Sequence, residues 1–377
     1  MFRQLSLLYR TRGNDHDEHM EDEEGPLPPS VQRPLEQENV QMLLEESEFK
    51  ERRNKLIHHL DSIYRKAYNL GKPFFDPTIC DKLKIRCETL DLKSDGEYAN
   101  GAPAPNFFDP FPLETLKKHP IITPDDRARR DYQSYEDIFD RTEEGFASQA
   151  LSYRLMCHFD GFRRNGITSR RGRLMDVTLW REAYVSHFVS ITRNVLLIYL
   201  ISRSEFPEFI QEYFMPGVCL QRGHSPSPGA CWTAQSTPLP HIMCIVEFMF
   251  GGTEELLRGE ILTILATTIT RLELEGYQGE VVIPVLLFSI MSDFKARIIQ
   301  AYFDGDQLVI RKSKLYDFST RETLSSSTTL FMQWMASQPV GDTSGFPLKD
   351  FVPFEEEDNT KSSVKEEAES KGTADAP

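Results

Sequence analysis

HIMCIVEFMF, residues 241–250, followed by GGTEELLRGEILTILATTITRLE to residue 273, decides the fold. The first ten residues are almost continuously apolar and too short for a helix of ordinary length, so they read as a buried strand with one carboxylate, Glu247, inside it. Gly251-Gly252 breaks the strand. Thr253 then supplies a helix cap, with Glu254 and Glu255 in the first turn and Ile261, Leu262, Leu265 and Ile269 at helical spacing. After Gly276 and Gly279 a second apolar strand runs from Val281 to Met291. An Asp304-Gly305 turn closes a hairpin whose two-residue register pairs Ala301 with Leu308, Ile299 with Ile310, Gln300 with Val309 and Tyr302 with Gln307. Strand, helix, strand and hairpin in that order predict a small mixed sheet flanked by helices, of the α/β (mixed α+β) class.

Outward from this core the pattern weakens. FRRNGITSRRGR, residues 162–173, carries Arg163, Arg164, Arg170, Arg171 and Arg173 with no acid among them. A planar guanidinium can donate two hydrogen bonds to one phosphate, so an arginine cluster beside glycines suits nucleic acid or another anion. The same spacing also fits a bipartite nuclear import signal, or a solvated loop that is merely basic. Residues 178–202 read as a strongly apolar core helix and 205–214 as a shorter one. Cys219, His224, Cys231, His241 and Cys244 fall within one stretch, and His241-x-x-Cys244 could begin a zinc site. Zinc needs four converging ligands, and no second close pair is present.

Toward the N terminus, Leu56, Leu60, Ile63 and Tyr64 mark a long helix starting near Leu35 and stopped by Gly71 and Pro73. It either docks on the body or offers a face to a protein partner. Residues 72–125 look irregular, punctuated by proline, with Phe107, Phe108 and Phe111 pinning the loop to the body; helical patterning returns over 131–159. A closing helix is expected at 328–336, with Trp334 in the core. The organisation that follows is a disordered tail (1–34), a helical and irregular region (35–149), an α/β core (150–340) and a disordered acidic tail (353–377).

The chain of 377 residues has a formal charge of −15. Residues 14–48 account for −11 of it and 353–377 for −5, while 1–13 contribute +3, so the body is close to neutral and an anionic partner is not excluded. Six cysteines without a secretory signal favour reduced thiols in a nuclear or cytoplasmic setting. The opening MFRQLSLLYRTRG weakly resembles a mitochondrial presequence, against which the following acidic run argues. No apolar run approaches the roughly 20 residues of a membrane helix, and no phosphate loop, nucleophile elbow or dinucleotide glycine pattern occurs.

A helix, a strand bearing a carboxylate, a helix and further strands resemble the PD-(D/E)XK nuclease-like core of a group of fungal proteins. The resemblance covers residues 150–335. It implies that Glu247 occupies the place of the metal-binding acid of the E-x-K motif, with Met249 where the lysine would be. The family's upstream acid has no counterpart here: no aspartate lies between Asp176 and Asp293, leaving as substitutes Glu205, Glu208 or Glu212 from a helix, or Asp176 where the chain folds back. The resemblance therefore implies either a non-catalytic binding protein without a cofactor, or a magnesium-dependent nuclease that uses Glu247 with an unidentified second acid. Taken without the family, Glu247 reads as a buried or edge-strand acid paired with an arginine.

Overall fold

A computed structural model describes residues 29–122, 147–185, 227–234, 239–274, 277 and 279–344. The expected tails at 1–28 and 353–377, the patterning at 131–146, the helix at 186–202 and the piece at 205–214 lie outside the described residues. The chain falls into two compact units, residues 1–49 and 50–377.

In the first unit the described residues are the opening turns of helix α1 (Pro29–Asn69). Helix therefore covers 29–34, where a disordered tail was expected; Pro29 falls at the first helical position, where its missing N–H has no partner to lose, whereas nothing local accounts for Pro34. Met42, Leu43 and Leu44 are exposed there. Within the second unit α1 buries Leu56, Leu60, Ile63, Tyr64 and Ala67, and Gly71 ends it in the left-handed conformation, φ +65°. The Arg53 guanidinium donates to the Leu272 carbonyl.

Short elements follow: β1 (Phe74–Phe75), α2 (Pro77–Lys82), β2 (Ile85–Thr89), β3 (Phe108–Asp109), α3 (Leu113–Lys117) and α4 (Ala147–Met156), the last running into a π-helical turn, Cys157–Gly161. Then come β4 (Trp180–Val185), β5 (Ser227–Ala234), β6 (Ile242–Glu247), β7 (Leu256–Leu257), α5 (Arg258–Glu273), β8 (Val285–Ile290), β9 (Lys295–Phe303), β10 (Leu308–Lys312), β11 (Tyr316–Asp317), α6 (Arg321–Met335) and β12 (Gln338–Pro339).

Among the described residues an eight-stranded mixed sheet runs β2-β10-β9-β8-β6-β5-β4, with β11 beside β9. The pairs β6/β8 and β10/β2 are parallel and the others antiparallel. Strands β6 and β8 are buried at every position, as expected for parallel neighbours covered on both faces and joined by a crossover helix, here α5. Side-chain alternation separates the two layers. Arg297 of β9 is level with Ser289 of β8 and meets Glu260 of α5, whereas Phe288, one residue away, meets Phe331 of α6. Thus α5 covers one face and α6 the other. Glu247 is level with Ile290 and lies on the α6 face, where α4 also packs.

Four expectations about the central sheet and its crossover helix change. The helix expected from Thr178 is the strand β4 over 180–185, hydrogen-bonded to β5 with a bulge between Glu182 and Tyr184. Trp180 decides this locally: its ring is buried and its indole N–H donates to the Ser337 carbonyl at 2.7 Å, while Arg181 and Glu182 stay exposed. The core helix begins at Arg258, not after Thr253. Its start is set by Glu260, whose carboxylate accepts the Leu257 N–H at 2.8 Å and the buried Arg297 guanidinium at 2.6 and 2.7 Å. The hairpin pairs Ala301 with Ile310, Gln300 with Arg311 and Tyr302 with Val309, two residues from the expected register. A four-residue turn replaces the two-residue one because Asp304 Oδ1 accepts the N–H groups of Asp306 and Gln307, with Gly305 at φ +96°. A shift of two preserves which face each side chain takes.

The fourth concerns residues 35–149. That region, expected to be helical and irregular, adds β2 to the central sheet, in parallel register from Leu308↔Ile85 to Lys312↔Thr89. Arg311 reinforces the junction by donating to Glu88, Pro105 and Ala104 at 2.8, 2.7 and 3.1 Å. Phe107 and Phe108 are buried as expected, Phe111 only partly. The closing helix α6 begins earlier than expected, capped by Thr320, and Trp334 is fully buried.

Candidate nucleic-acid interface

The basic stretch 162–173 is a tethered loop. Its backbone closes on itself, Arg164 N–H to Gly172 carbonyl at 2.7 Å, and is stitched to the segment after α3 by Ile122 N–H to Arg163 carbonyl at 2.9 Å and Asn165 N–H to Pro120 carbonyl at 2.9 Å. Gly166 and Gly172 take φ of +74° and +66°. A methyl group on Gly172 would stand 3.0 Å from Arg163 Cγ, so the glycine leaves room for the arginine stem.

The five arginines divide into two roles. Arg164 is buried and donates to the carbonyls of His119 at 3.0 Å and His158 at 2.8 Å. Arg173 is largely covered; it donates to Asp176 Oδ1 through Nε at 3.1 Å and Nη2 at 2.8 Å, and to the Asp160 carbonyl at 3.2 Å. Burial alone would raise the Asp176 pKa, but hydrogen bonds from Arg173 and Ser169 outweigh it and hold the carboxyl below its ordinary value. These two arginines fix the loop to the π-helical turn. Arg163, Arg170 and Arg171 are exposed, and the stitching brings Lys117 and Lys118 of the α3 end alongside. Lys117 pairs with Glu114 at 2.7 Å on the surface. The sequence reading missed the lysines because they lie over forty positions upstream; His119-Pro120, where a helix must stop, is the local signal of a turn there.

Glu247 ends β6, 7% exposed. Burial pushes its pKa up to about 7, and the Ser152 hydroxyl of α4 tempers the rise. Among the described residues no arginine or lysine forms an ion pair with it, so the expected acid–arginine pair is not observed there. Met249 is 69% exposed and takes no part. A second buried acid, which the sequence reading passed over, is Asp160 in the π-helical turn. Burial, then the charge of Glu182, pushes its pKa up to about 6, and Trp232 Nε1 donates to it at 3.2 Å. Trp232 is level with Met243, four residues before Glu247, about 13 Å along a strand at the usual rise. The two carboxylates therefore do not meet as a metal pair, and among the described residues no three His, Cys, Asp or Glu side chains converge on one point.

The alternative zinc set is not assembled either. Cys219 and His224 lie outside the described residues. Cys231 and Cys244 are directly opposed across β5 and β6, with sulfurs 3.0 Å apart. His241, three residues from Cys244, has its Nε2 on the Val340 carbonyl at 2.8 Å and its ring against Phe107 and Phe108. Burial pushes its pKa down to about 4, so it is neutral and serves packing.

Fold and site define a mixed α/β protein with a braced basic loop beside one face of its sheet. No family model, curated protein or solved structure matches the chain. No helix among the described residues is long and apolar enough to cross a membrane.

Proposed function

We propose that this is a non-catalytic binding protein, built on a core that resembles a degenerate PD-(D/E)XK nuclease, and that it contacts nucleic-acid phosphates through Arg163, Arg170 and Arg171. The division of labour in the loop carries the reading. Arg164 and Arg173 are consumed in holding its shape, which leaves three guanidinium groups outward on a backbone that does not have to be ordered on binding. Lys118 extends the same basic surface. The lone buried Glu247 favours binding over metal-dependent cleavage, because a single carboxylate supplies neither the charge nor the ligand number magnesium usually takes from protein and phosphate together.

The test is salt-dependent retention of DNA and RNA by the full chain. Three phosphate contacts give a slope of about −2.7 in log K against log salt, so affinity for duplex DNA falls about 40-fold between 50 and 200 mM salt. Replacing Arg163, Arg170 and Arg171 by Gln removes that dependence. Retention that is insensitive to salt, or unchanged in the triple variant, overturns the reading. Metal-dependent cleavage abolished by Glu247→Ala replaces it with an active magnesium-dependent nuclease.

A second reading rests on α1, where Met42, Leu43 and Leu44 are exposed: an interaction protein whose N-terminal helix binds a protein partner. Loss of a specific partner on changing these three residues to Ser, with nucleic-acid retention absent in the parent, favours it.

A further inference from the structure

Cys231 and Cys244 stand directly opposite each other in the antiparallel pair β5/β6, 13 positions apart in the chain, with their sulfurs 3.0 Å from one another. Both are free thiols and both are buried, 2% and 1% exposed. Strand register alone brings them within bonding range, because opposed residues of an antiparallel pair have Cα atoms about 4.5 or 5.5 Å apart and a disulfide bridges about 4.4–6.8 Å. On its far side β5 is paired with β4 and β6 with β8, so neighbouring strands hold both backbones in place.

The sulfur separation decides which chemistry suits the pair. Two thiolates on one tetrahedral zinc, with Zn–S near 2.3 Å, stand about 3.8 Å apart. At 3.0 Å the pair is too close for that, while an approach of about 1 Å reaches the sulfur–sulfur bond length of about 2.05 Å. His241, the nearest imidazole in sequence, has its Nε2 on the Val340 carbonyl. Burial, then the contact with Cys244, pushes the Cys231 pKa up, so this thiol keeps its proton at neutral pH. A bulky charged reagent meets no exposed thiolate here. A small uncharged oxidant meets two thiols already in contact.

We infer that Cys231 and Cys244 are a modification site, a buried dithiol that hydrogen peroxide oxidises to a cross-strand disulfide. One thiol gives up its proton and its sulfur attacks a peroxide oxygen; the O–O bond breaks, and the departing hydroxide takes the proton as water. The sulfenic acid so formed lies against the second sulfur, which attacks it. The S–S bond forms, the S–O bond breaks, and the second hydroxide leaves with the second proton as water. The two thiols lose two electrons in all, and one peroxide becomes two waters. With the resolving sulfur in contact, the first sulfur is captured before it advances to sulfinic acid. The new bond ties β5 to β6 beside Trp232, whose indole N–H donates to Asp160 of the π-helical turn.

The test treats the full folded chain with hydrogen peroxide, removes the peroxide with catalase, and unfolds the chain in guanidinium containing N-ethylmaleimide before digestion and mass spectrometry. No Lys or Arg lies between Arg222 and Arg258, so trypsin leaves both cysteines in one peptide; chymotrypsin cuts after Trp232, between them. The expected result is a tryptic peptide about 2 Da lighter with no maleimide on either cysteine, and a linked pair of chymotryptic peptides that dithiothreitol separates. In Cys231→Ala, Cys244 has no resolving partner and should advance to sulfinic acid. The inference is overturned if both cysteines still take maleimide after exposed Cys87 has been oxidised, if either reaches sulfinic acid in the parent, if either is linked to a different cysteine, or if the link forms only when the chain is unfolded before peroxide is added. The parent chain alone decides these outcomes, whether or not the alanine variant folds.

Discussion

Replacing Glu247 by Gln should stabilise the protein above neutral pH. In the folded state burial pushes the Glu247 pKa up to about 7, against an ordinary value of 4.5 once the chain is unfolded. Between those values the native protein holds a proton that the unfolded chain has released, so stability falls as pH rises, at most about 1.4 kcal/mol per pH unit. Over the interval the loss reaches about 3 kcal/mol and is complete above pH 8. The substituted amide keeps the shape and the polarity of the side chain without the charge. The difference between variant and parent should therefore be small at pH 4.5 and grow to about 3 kcal/mol in favour of the variant at pH 8. Urea titrations at several pH values measure it, read by fluorescence of Trp180, Trp232 and Trp334, all fully buried. Groups titrating elsewhere cancel in the difference. Parallel pH profiles for parent and variant, or a variant less stable at pH 8, would refute the reasoning, because an ionised carboxylate neutralised by a cation is worth keeping.

Glu260→Ala leaves the fully buried Arg297 without its carboxylate and should cost about 3–5 kcal/mol in urea unfolding; adding Arg297→Met should recover part of that loss. Gly341 takes φ +87°, and a methyl group there would stand 2.5 Å from the Asn106 carbonyl oxygen, so Gly341→Ala should lower stability by at least about 2 kcal/mol, seen as a fall in Tm. Gly172→Ala meets both an unfavourable φ and the Arg163 stem. It should weaken nucleic-acid retention while an exposed control such as Gly101→Ala, which has open space around it, leaves retention unchanged.

The parts of the fold that could be read from the chain are those whose pattern is local. Ile242–Glu247 and Val285–Ile290 are dense in apolar residues because both faces are covered, and the helix between them shows its spacing directly. Elements decided by distant partners could not be read. IRCET at 85–89 has one buried apolar residue at its first position, and it is a strand because β10 lies beside it. WREAYV at 180–185 continues into a run with helical periodicity, and only the pairing with β5 and the Ser337 carbonyl under Trp180 make it extended. The candidate site divides the same way. That five arginines share one loop is evident from their spacing, but which two brace it depends on His119, His158, Asp160 and Asp176, groups whose proximity is tertiary. Glu247 announced itself as a charge in an apolar strand. Its isolation from other acids depends on where Asp160 and Trp232 fall across the sheet.

The parallel seam between β2 and β10 joins positions 223 residues apart, as Arg311 and Glu88 illustrate. At about 5–20 residues per second of synthesis, roughly 10–45 s separate the emergence of the two strands. Until the later strand exists, the earlier one has no backbone partner in the sheet, and the long loop between them must close before their contact returns any free energy. The seam is thus a late folding event, and the N-terminal segment is the last piece of the sheet to be fastened. Chains that lose this segment would carry the outer edge of β10 bare, a row of unpaired N–H and C=O groups open to another copy. In cells, versions of this protein shortened at the N terminus should betray themselves by sticking to one another before they show any defect in binding.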